Sequence, residues 1–254
     1  MSIEPISATL IAFPLVYIIF YTLKTAFETF RFLKERYMEY YIGEYKKALI
    51  ISDLHVGYSK SLYPIVRKVL QAIKPEVLVI AGDLVDKPLD EGKFDIVKDA
   101  IFKLVQGSDV STVVFTPSSS SHDPRFPLQC ISVPIDNHLK LIVARHGVVL
   151  KIGKLRIHVT HGDYLCGNGA IAFILSYFLE KITGKKGVYE KLLKLLAGIP
   201  VEEWLISGHT HRKLISYTDR IANTGSWKRY WRKSSPGLIY IRKDTILLLG
   251  KTID

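Results

Sequence analysis

Carboxylates and imidazoles recur in this sequence where short apolar runs end. Asp53 and His55 follow ALIIS, and Asp83 follows VLVIAG. The pattern returns three more times along the chain, at His122 and Asp123, at His161, and at His209 and His211. Carboxylate oxygens and imidazole nitrogens together suit Mn²⁺, Zn²⁺ or Fe. Two such ions close together can clamp a phosphate and turn a bridging water into hydroxide, so these residue types point to phosphoester hydrolysis.

The apolar runs alternate with helical patterns. Strand-to-loop segments are predicted over 48–57, 77–86 and 111–117, and helices over 61–73 and 94–105. This alternation predicts an α/β sheet with parallel pairing, in which functional groups collect at the carboxyl ends of strands. A single Asp or His at a strand end is ordinarily a helix cap or a packed side chain, but capping alone does not explain five strand ends in succession.

The second half of the chain has a different pattern. Consecutive strands are predicted over 139–163 and again from Ile215 onward, with helices over 170–182 and 188–199 between them. The first of these helices is apolar almost all round, which is typical of a core helix. The alternative is a lid that receives an acyl or isoprenoid chain, with lysines at its end facing lipid phosphates.

Taken in order, the chemistry-bearing residues form five short motifs. They are D-x-H at 53–55, G-D at 82–83, H-D at 122–123, H-G-D at 161–163 and G-H-T-H at 208–211. This set resembles the calcineurin-like metallophosphoesterases over residues 48 to about 227. HGDYLC, followed by an apolar helical insertion and GHTHR, is also similar to the membrane-associated UDP-2,3-diacylglucosamine pyrophosphatases.

The resemblance implies an α/β fold, a four-layer αββα sandwich, with two divalent metal ions at its rim. Mn²⁺ is expected, with Zn²⁺ or Fe as alternatives. By this resemblance Asp53, His55 and His211 hold the first ion, Asp83 bridges the two ions, and His161 and His209 hold the second. His122 is expected to act as a general acid or to stabilise the transition state, with Asp123 orienting its ring.

The loop before His122 departs from the family pattern. The family has Gly-Asn before His-Asp, whereas this chain has Ser120 and Ser121. A hydroxyl is a weaker and shorter ligand than an amide oxygen, and serine tolerates positive φ less well than glycine. In one hypothesis Ser121, or a water it holds, completes the second metal site with lower affinity. In the other, the second ion is lost and the domain is a catalytically weakened module that binds phosphate-bearing partners.

The charge of the chain indicates anionic partners without choosing among them. The formal net charge of +11 attracts phosphates on nucleic acid, on lipid head groups or on a small substrate. The segment WKRYWRK, 227–233, interleaves aromatic and basic residues. A nuclease surface, a membrane-surface anchor and a solvated face are three interpretations of it. The two cysteines, Cys130 and Cys166, lack metal-site spacing and fit a reducing compartment.

The N-terminal part of the chain has the pattern of a membrane anchor. Residues 5–23 carry no charge, which predicts a membrane-associated helix, and 24–47 predict an amphipathic segment on a surface. A buried core helix and a helix lying in the interface are the alternatives to a span. Basic residues follow the apolar run, so the positive-inside rule places the domain on the cytoplasmic side. The predicted division is an anchor over 1–46 and a metallophosphoesterase domain over 47–254, with a helical insertion at about 166–200.

Overall fold

A computed structural model describes residues 16, 17, 20, 21, 24, 38–44, 46–86, 94–119, 122–126, 130–229 and 234–250. These residues form fifteen strands and four helices whose bounds are described, and positions 16, 17, 20, 21 and 24 are also helical. The strands are β1 Met38–Ile42, β2 Ala48–Ile51, β3 Val77–Ala81, β4 Thr112–Thr116, β5 Cys130–Pro134, β6 Lys140–Ala144, β7 Val148–Ile152, β8 Leu155–Val159, β9 Trp204–Ser207, β10 Leu214–Ser216, β11 Ile221–Asn223, β12 Gly225–Ser226, β13 Ser235–Pro236, β14 Leu238–Arg242 and β15 Thr245–Leu249. The helices are α1 Tyr63–Ile73, α2 Phe94–Val105, α3 Gly169–Thr183 and α4 Val188–Leu196.

Most strands belong to two mixed sheets. The larger has the order β15-β14-β2-β3-β4-β6-β5, in which β2, β3, β4 and β6 are parallel neighbours. The smaller has the order β1-β7-β8-β9-β11-β10. The predicted parallel pairing of the first strands is therefore present, and antiparallel strands border it on both sides.

Alternating side chains divide the core between the two faces of the larger sheet. In β3, Leu78 and Ile80 pack on the side of α1 and α2, whereas Val77 and Val79 pack against the smaller sheet. This alternation follows from the period of two along a strand. On the outer face of the smaller sheet, α3 and α4 cover a third apolar cluster. Two sheets with helices on both outer faces are consistent with the expected metallophosphoesterase sandwich.

Helix α3 has a well-defined beginning and end. The side chain of Asn168 accepts hydrogen bonds from the backbone amides of Ala170 (3.0 Å) and Ile171 (3.2 Å), which satisfies two of the free donors of the first turn. Gly184 ends the helix at a φ of 67°, a conformation that glycine adopts without steric cost.

The end of the predicted amphipathic segment is a strand instead. Met38–Ile42 forms β1 and pairs in parallel with β7. Along MEYYI, half-buried and exposed residues alternate, and Ile42 is buried in the core between the sheets. The mixture of aromatic and charged residues resembles an amphipathic helix, but its period is two.

The apolar run 5–23 lies outside the described residues apart from positions 16, 17, 20 and 21, so the predicted anchor stays a prediction. Every helix within the described part of the chain is too short or too polar to cross a bilayer.

Candidate metal centre

Backbone hydrogen bonds tie together the loops that follow β2 and β3. The amide of Asp53 donates to the carbonyl of Gly82 (3.1 Å), and the amide of His55 donates to the carbonyl of Asp83 (3.0 Å). Because β2 and β3 are parallel neighbours, both loops leave the same edge of the sheet. The backbone therefore brings three of the predicted ligands into one space.

Five of the predicted ligands have left-handed backbone conformations. The φ angle is 52° at Asp53, 47° at His55, 51° at Asp83, 68° at His209 and 55° at His211. This conformation costs a residue with a side chain on the order of 1 kcal/mol, and such strain gathers at functional sites. The bends at His209 and His211 let two imidazoles from one short segment both approach the carboxylates.

Two glycines leave the room that these side chains occupy. A Cβ at Gly82 would lie 2.3 Å from the ring of His161, and a Cβ at Gly208 would lie 2.4 Å from Oδ2 of Asp53. Real Cβ atoms do not approach other atoms so closely. The glycines of the G-D and G-H-T-H motifs are therefore part of the site's packing.

Asp53, His55, Asp83 and His211 form a close group of possible ligands. One ligand atom from each lies within 4.8 Å of the others. Nε2 of His211 is 3.0 Å from Oδ1 of Asp53, and Nε2 of His55 is 3.6 Å from Oδ2 of Asp83. The structure thus brings together the residues predicted to surround the first ion.

Several atoms of this group lack the hydrogen bonds that buried polar atoms normally make. Within the described residues, both ring nitrogens of His55 are buried and make no hydrogen bond, and the buried Oδ1 of Asp53 has the ring of His211 beside it at 3.0 Å. Oδ2 of Asp53, by contrast, accepts from the amide of His209 (3.2 Å) and from the hydroxyl of Ser52. A divalent cation among the four residues would satisfy the remaining atoms, so this donor set fits a metal ion.

The ring nitrogens of His161 and His209 are oriented for a second cation. Nδ1 of His161 lies 2.9 Å from the carbonyl of Ala81, and Nε2 of His209 lies 2.5 Å from the carbonyl of Cys166. A carbonyl only accepts, so these two nitrogens carry the protons of the neutral rings. The other two nitrogens face each other at 3.2 Å, a distance that a proton on Nε2 of His161 would bridge as a hydrogen bond, and Oδ1 of Asp83 is 3.5 Å from Nε2 of His161. A metal cation bound by these two nitrogens would take the place of that proton.

A second group of three possible ligands contains a residue that sequence reasoning missed. It consists of His55, Asp86 and His122, and His161 and His209 belong to neither group found among the described residues. Oδ1 of Asp86 is 3.3 Å from Nδ1 of His55, and its carbonyl is 2.9 Å from Nδ1 of His122. The available signal was the second carboxylate of GDLVD, three residues after Asp83.

Asp123 does not orient the ring of His122 as expected. Its carboxylate accepts hydrogen bonds from the backbone amides of Asp83 (2.7 Å), Leu84 (3.0 Å) and Ser118 (2.8 Å). Among the described residues, it is the Asp86 carbonyl that holds the His122 ring. Asp123 therefore joins the loop after β4 to the loop after β3, and burial together with the charge of Asp83 raises its pKa to about 6.

The electrostatics of the site keep Asp83 ionised and His55 neutral, and they stabilise positive charge at His161. Burial would raise the pKa of Asp83, but the imidazoles of His161 and His55 hold that pKa well below its usual range. Burial lowers the pKa of His55 to about 4 against the attraction of Asp83. Burial would also lower the pKa of His161, yet the Asp83 carboxylate raises it to about 9, which marks a position where positive charge is stabilised.

A buried carboxyl from α4 supports the loop that carries His209 and His211. Oε1 of Glu190 accepts hydrogen bonds from the hydroxyl of Thr210 (3.1 Å) and the side-chain amide of Asn223 (3.1 Å). That amide also donates to the carbonyl of Gly208 at 2.6 Å. Burial raises the pKa of Glu190. The predicted helical insertion is thus connected to the metal site through hydrogen bonds.

The predicted ligand Ser121 lies outside the described residues, so its role stays a prediction. The preceding Ser119 is anchored, because its amide and hydroxyl both donate to Oδ2 of Asp163 at 2.7 and 2.9 Å.

The described part of WKRYWRK is mostly buried. Trp227 is 3% exposed, and its indole N–H donates to the carbonyl of Gly237 (3.1 Å). Nζ of Lys228 is 2.5 Å from Oδ1 of Asp86 and 4.6 Å from the centre of the Tyr58 ring. Trp227 belongs to the core and does not present its ring to a nucleic-acid base. Residues 230–233 lie outside the described residues.

A match to one family model over most of the chain decides its family. Residues 46–213 match the family model described as calcineurin-like phosphoesterase, and this range contains every predicted ligand. The chain belongs to the calcineurin-like phosphoesterases. With its buried cluster of Asp and His residues, this phosphoesterase is a metal-dependent phosphohydrolase.

Three solved structures are similar to the chain at low sequence identity. A mutant of Vps29 from Entamoeba histolytica is 15% identical, with 80% of this chain and 89% of that chain covered and a TM-score of 0.42. The phosphoesterase Yfce from E. coli is 18% identical, with 80% and 98% covered and a TM-score of 0.39. A cold-active protein-tyrosine phosphatase from Shewanella is 14% identical, with 85% and 81% covered and a TM-score of 0.41. No curated protein matches the chain.

Proposed function

We propose that this phosphoesterase uses two divalent metal ions to hydrolyse a phosphodiester or pyrophosphate bond in a lipid-linked or nucleotide-linked substrate. One observation carries the proposal. Ligand atoms of Asp53, His55, Asp83 and His211 lie within 4.8 Å of one another, and several of them are buried without hydrogen bonds among the described residues.

The residues divide into two ligand sets that share Asp83. Asp53, His55 and His211 would hold the first ion, and His161 and His209, with Ser121, would hold the second. Bound divalent ions polarise phosphoryl oxygens and lower the pKa of a coordinated water, and Mn²⁺ is the ion we expect here.

The contacts of His122 support a role at the leaving group. Its Nδ1 is held by the carbonyl of Asp86 (2.9 Å), and its ring centre is 4.8 Å from that of His55. In this orientation Nδ1 carries a proton and Nε2 is left to face the substrate. We assign to Nε2 the transfer of a proton to the leaving oxygen, or, as an imidazolium, the stabilisation of charge on the phosphoryl group.

The proposed substrate class and location rest on features outside the metal cluster. The uncharged run 5–23, followed by basic residues, supports membrane association with the catalytic domain on the cytoplasmic side. The likeness of HGDYLC and its helical insertion to lipid-pyrophosphate-cleaving enzymes supports a lipid-linked substrate. The basic net charge suits any phosphate-bearing molecule.

The test combines metal content with turnover on the same sample. Full-length protein in detergent is loaded with Mn²⁺, its metal is measured by elemental analysis, and hydrolysis of bis-p-nitrophenyl phosphate is recorded. We expect close to two ions per chain, with turnover. One ion or none, without turnover, would favour the catalytically weakened module instead.

Asp83→Asn tests the shared ligand directly. It removes the charge that faces both predicted sites, and we expect loss of bound metal together with a fall in turnover of about 100-fold or more. The control is Asp95→Asn, which makes the same chemical change at an exposed residue paired with Lys98 on α2. Unchanged metal content in Asp83→Asn would contradict the proposed site.

Ser121→Asn separates a weak second site from a lost one. An asparagine amide oxygen is a longer and better ligand than a hydroxyl. Higher Mn²⁺ affinity and turnover in this variant would mean that the second site works but is weak. No change in either would indicate a module that no longer depends on the second ion.

A further inference from the structure

Helix α3 is buried along one side and exposed along the other. Ala172 and Ser176 are buried beneath it. The opposite side presents four apolar residues whose exposed fractions are 52% for Ile174, 46% for Tyr177, 53% for Phe178 and 66% for Ile182. Their spacing of three and four residues places them in one row, which we call the α3 stripe. Contiguous exposed apolar surface of this kind marks an interaction site.

The edge of the α3 stripe is positively charged. Lys181, Lys185 and Lys186 are exposed, and Nζ of Lys181 lies 5.5 Å from the centre of the Tyr177 ring. The nearby carboxylate of Glu180 is paired with Arg212. Within the described residues, this surface therefore combines apolar side chains with lysines that form no ion pair.

The α3 stripe starts beside the loop that carries the histidines of the G-H-T-H motif. Arg212 follows His211 directly, and its guanidinium carbon lies 5.9 Å from the centre of the Phe173 ring and 5.7 Å from that of Tyr177. The same guanidinium donates to the hydroxyl of Ser176 at 3.2 Å. Whatever contacts the stripe is thus held close to the metal centre.

Residues of the N-terminal segment add exposed apolar groups near the same cluster. Tyr21 packs against the apolar cluster beneath α3 and α4. Val16, Tyr17 and Phe20, from the same helical segment, are exposed. Two parts of the chain that meet at one cluster therefore both present apolar side chains outward.

We infer that the α3 stripe is a membrane-docking surface, which inserts its apolar side chains into the head-group region of an anionic bilayer while its lysines contact lipid phosphates. Amphipathic helices with basic edges bind interfaces in this way. This inference rests on the membrane association proposed above and deepens it, because it makes the catalytic domain itself contact the bilayer. The metal centre is then held at the lipid surface.

Charge favours lipid over two other occupants of the stripe. The apolar run 5–23 contains no acidic residue, so it offers nothing to the three lysines. A second copy of the chain would bring lysines against lysines, and like charges in contact oppose association. An anionic bilayer supplies both the apolar environment and the negative charge.

A fluorescent label on the stripe reports its position independently of how the N-terminus binds. In full-length protein with the exposed Cys130 changed to Ser, Phe178→Cys is labelled with the environment-sensitive dye NBD. The control carries the label at Phe102→Cys, an exposed apolar position on α2, across the sandwich from α3. With phosphatidylcholine–phosphatidylserine vesicles, we expect a blue shift and quenching by nitroxide-labelled lipid at position 178 and neither at 102.

Each other outcome overturns the inference in a distinct way. Protein that sediments with vesicles while neither label is quenched binds through its N-terminus alone, so membrane association stands and the α3 stripe does not. Protein that does not sediment removes the membrane association as well. A blue shift at position 178 that grows with protein concentration in the absence of lipid indicates self-association.

The lysines provide an independent measurement. The double variant Lys185→Gln, Lys186→Gln is expected to bind the anionic vesicles roughly 25-fold more weakly, about fivefold for each basic residue lost near the surface. The control double variant Lys98→Gln, Lys103→Gln on α2 removes the same charge and is expected to bind as the unmodified protein does. Equal weakening in both would show that net charge alone drives binding.

Discussion

Gly82 occupies a position where a methyl group has no space. A Cβ there would lie 2.3 Å from the ring of His161, and its φ is 76°. We expect Gly82→Ala to displace His161, lowering bound metal and turnover by about 10-fold or more, and to destabilise the fold by more than the roughly 1 kcal/mol of conformational strain alone. Elemental analysis and chemical denaturation measure the two effects.

The matched control is Gly198→Ala. Gly198 has a φ of 63°, but nothing lies within 4 Å of a Cβ built there. Gly198→Ala has the same cost of a left-handed backbone as Gly82→Ala but no steric clash. We therefore expect the metal content of Gly198→Ala to stay unchanged. Equal loss of metal in the two variants would mean that backbone strain, and not the contact with His161, is responsible.

At the residue scale, the types of the residues and their order along the chain were enough to indicate the close group of Asp53, His55, Asp83 and His211. Carboxyl ends of parallel strands meet at one edge, so Asp53 and Asp83 approach each other in any such sheet. Backbone interactions were beyond prediction. Asp123 differs from its expected role because its carboxylate is taken up by three backbone amides, and those depend on how two loops pack. Asp86 was not predicted because its contacts with His55 and His122 depend on the bend of the loop after β3.

At the scale of elements, the contact between α4 and the histidine loop predicts a pH effect. Burial raises the pKa of Glu190, so the folded protein holds that proton more tightly than the unfolded chain does. The stability of the metal-free protein should therefore decrease as pH rises from about 4.5, the usual pKa, through the raised value of the folded state. Glu190→Gln removes this titration.

We expect the free energy of unfolding of Glu190→Gln to increase steadily over that pH range relative to that of the unmodified protein, because the variant does not lose this contribution to stability. Urea denaturation at several pH values, in the presence of EDTA, measures it. Glu202→Gln makes the same charge change on an exposed turn and should follow the unmodified protein. Parallel curves for all three proteins would show that Glu190 does not titrate abnormally.

Sequence periodicity predicted helices and strands correctly where a single period dominates. The predicted helix over 94–105 is found at Phe94–Val105 because one of its faces packs on the sheet. The pattern was misleading in two places. Met38–Ile42 has the composition of an amphipathic helix but pairs as a strand, and the apolar helix α3 exposes a side that composition alone would place in the core. Both depend on neighbours distant in sequence.

At the scale of the whole molecule, β1 makes the predicted boundary at residue 46 testable. Ile42 is buried in the core between the sheets, and Glu39 pairs with Lys151 and Arg156. A chain beginning at Lys47 loses these contacts, and we expect it to be less stable by about 2 kcal/mol or more, chiefly from the lost burial of Ile42. Thermal and urea denaturation measure the difference.

The comparison is a chain beginning at Met38, which keeps β1 and lacks the apolar run. It is expected to unfold as the full-length protein does. If the two truncated chains are equally stable, β1 contributes nothing to the fold and the boundary lies at residue 46 as the sequence predicts.

The pairing of Met38 with Val148 also has a consequence for the timing of synthesis. The parallel partner of β1 leaves the ribosome roughly 5 to 20 s after β1 itself, at ordinary rates of translation. During that interval β1 has no partner in its sheet, and the apolar run 5–23 has already emerged. The membrane contact that we propose for this run can therefore form before the catalytic domain closes, and β1 is added to the sheet only afterwards.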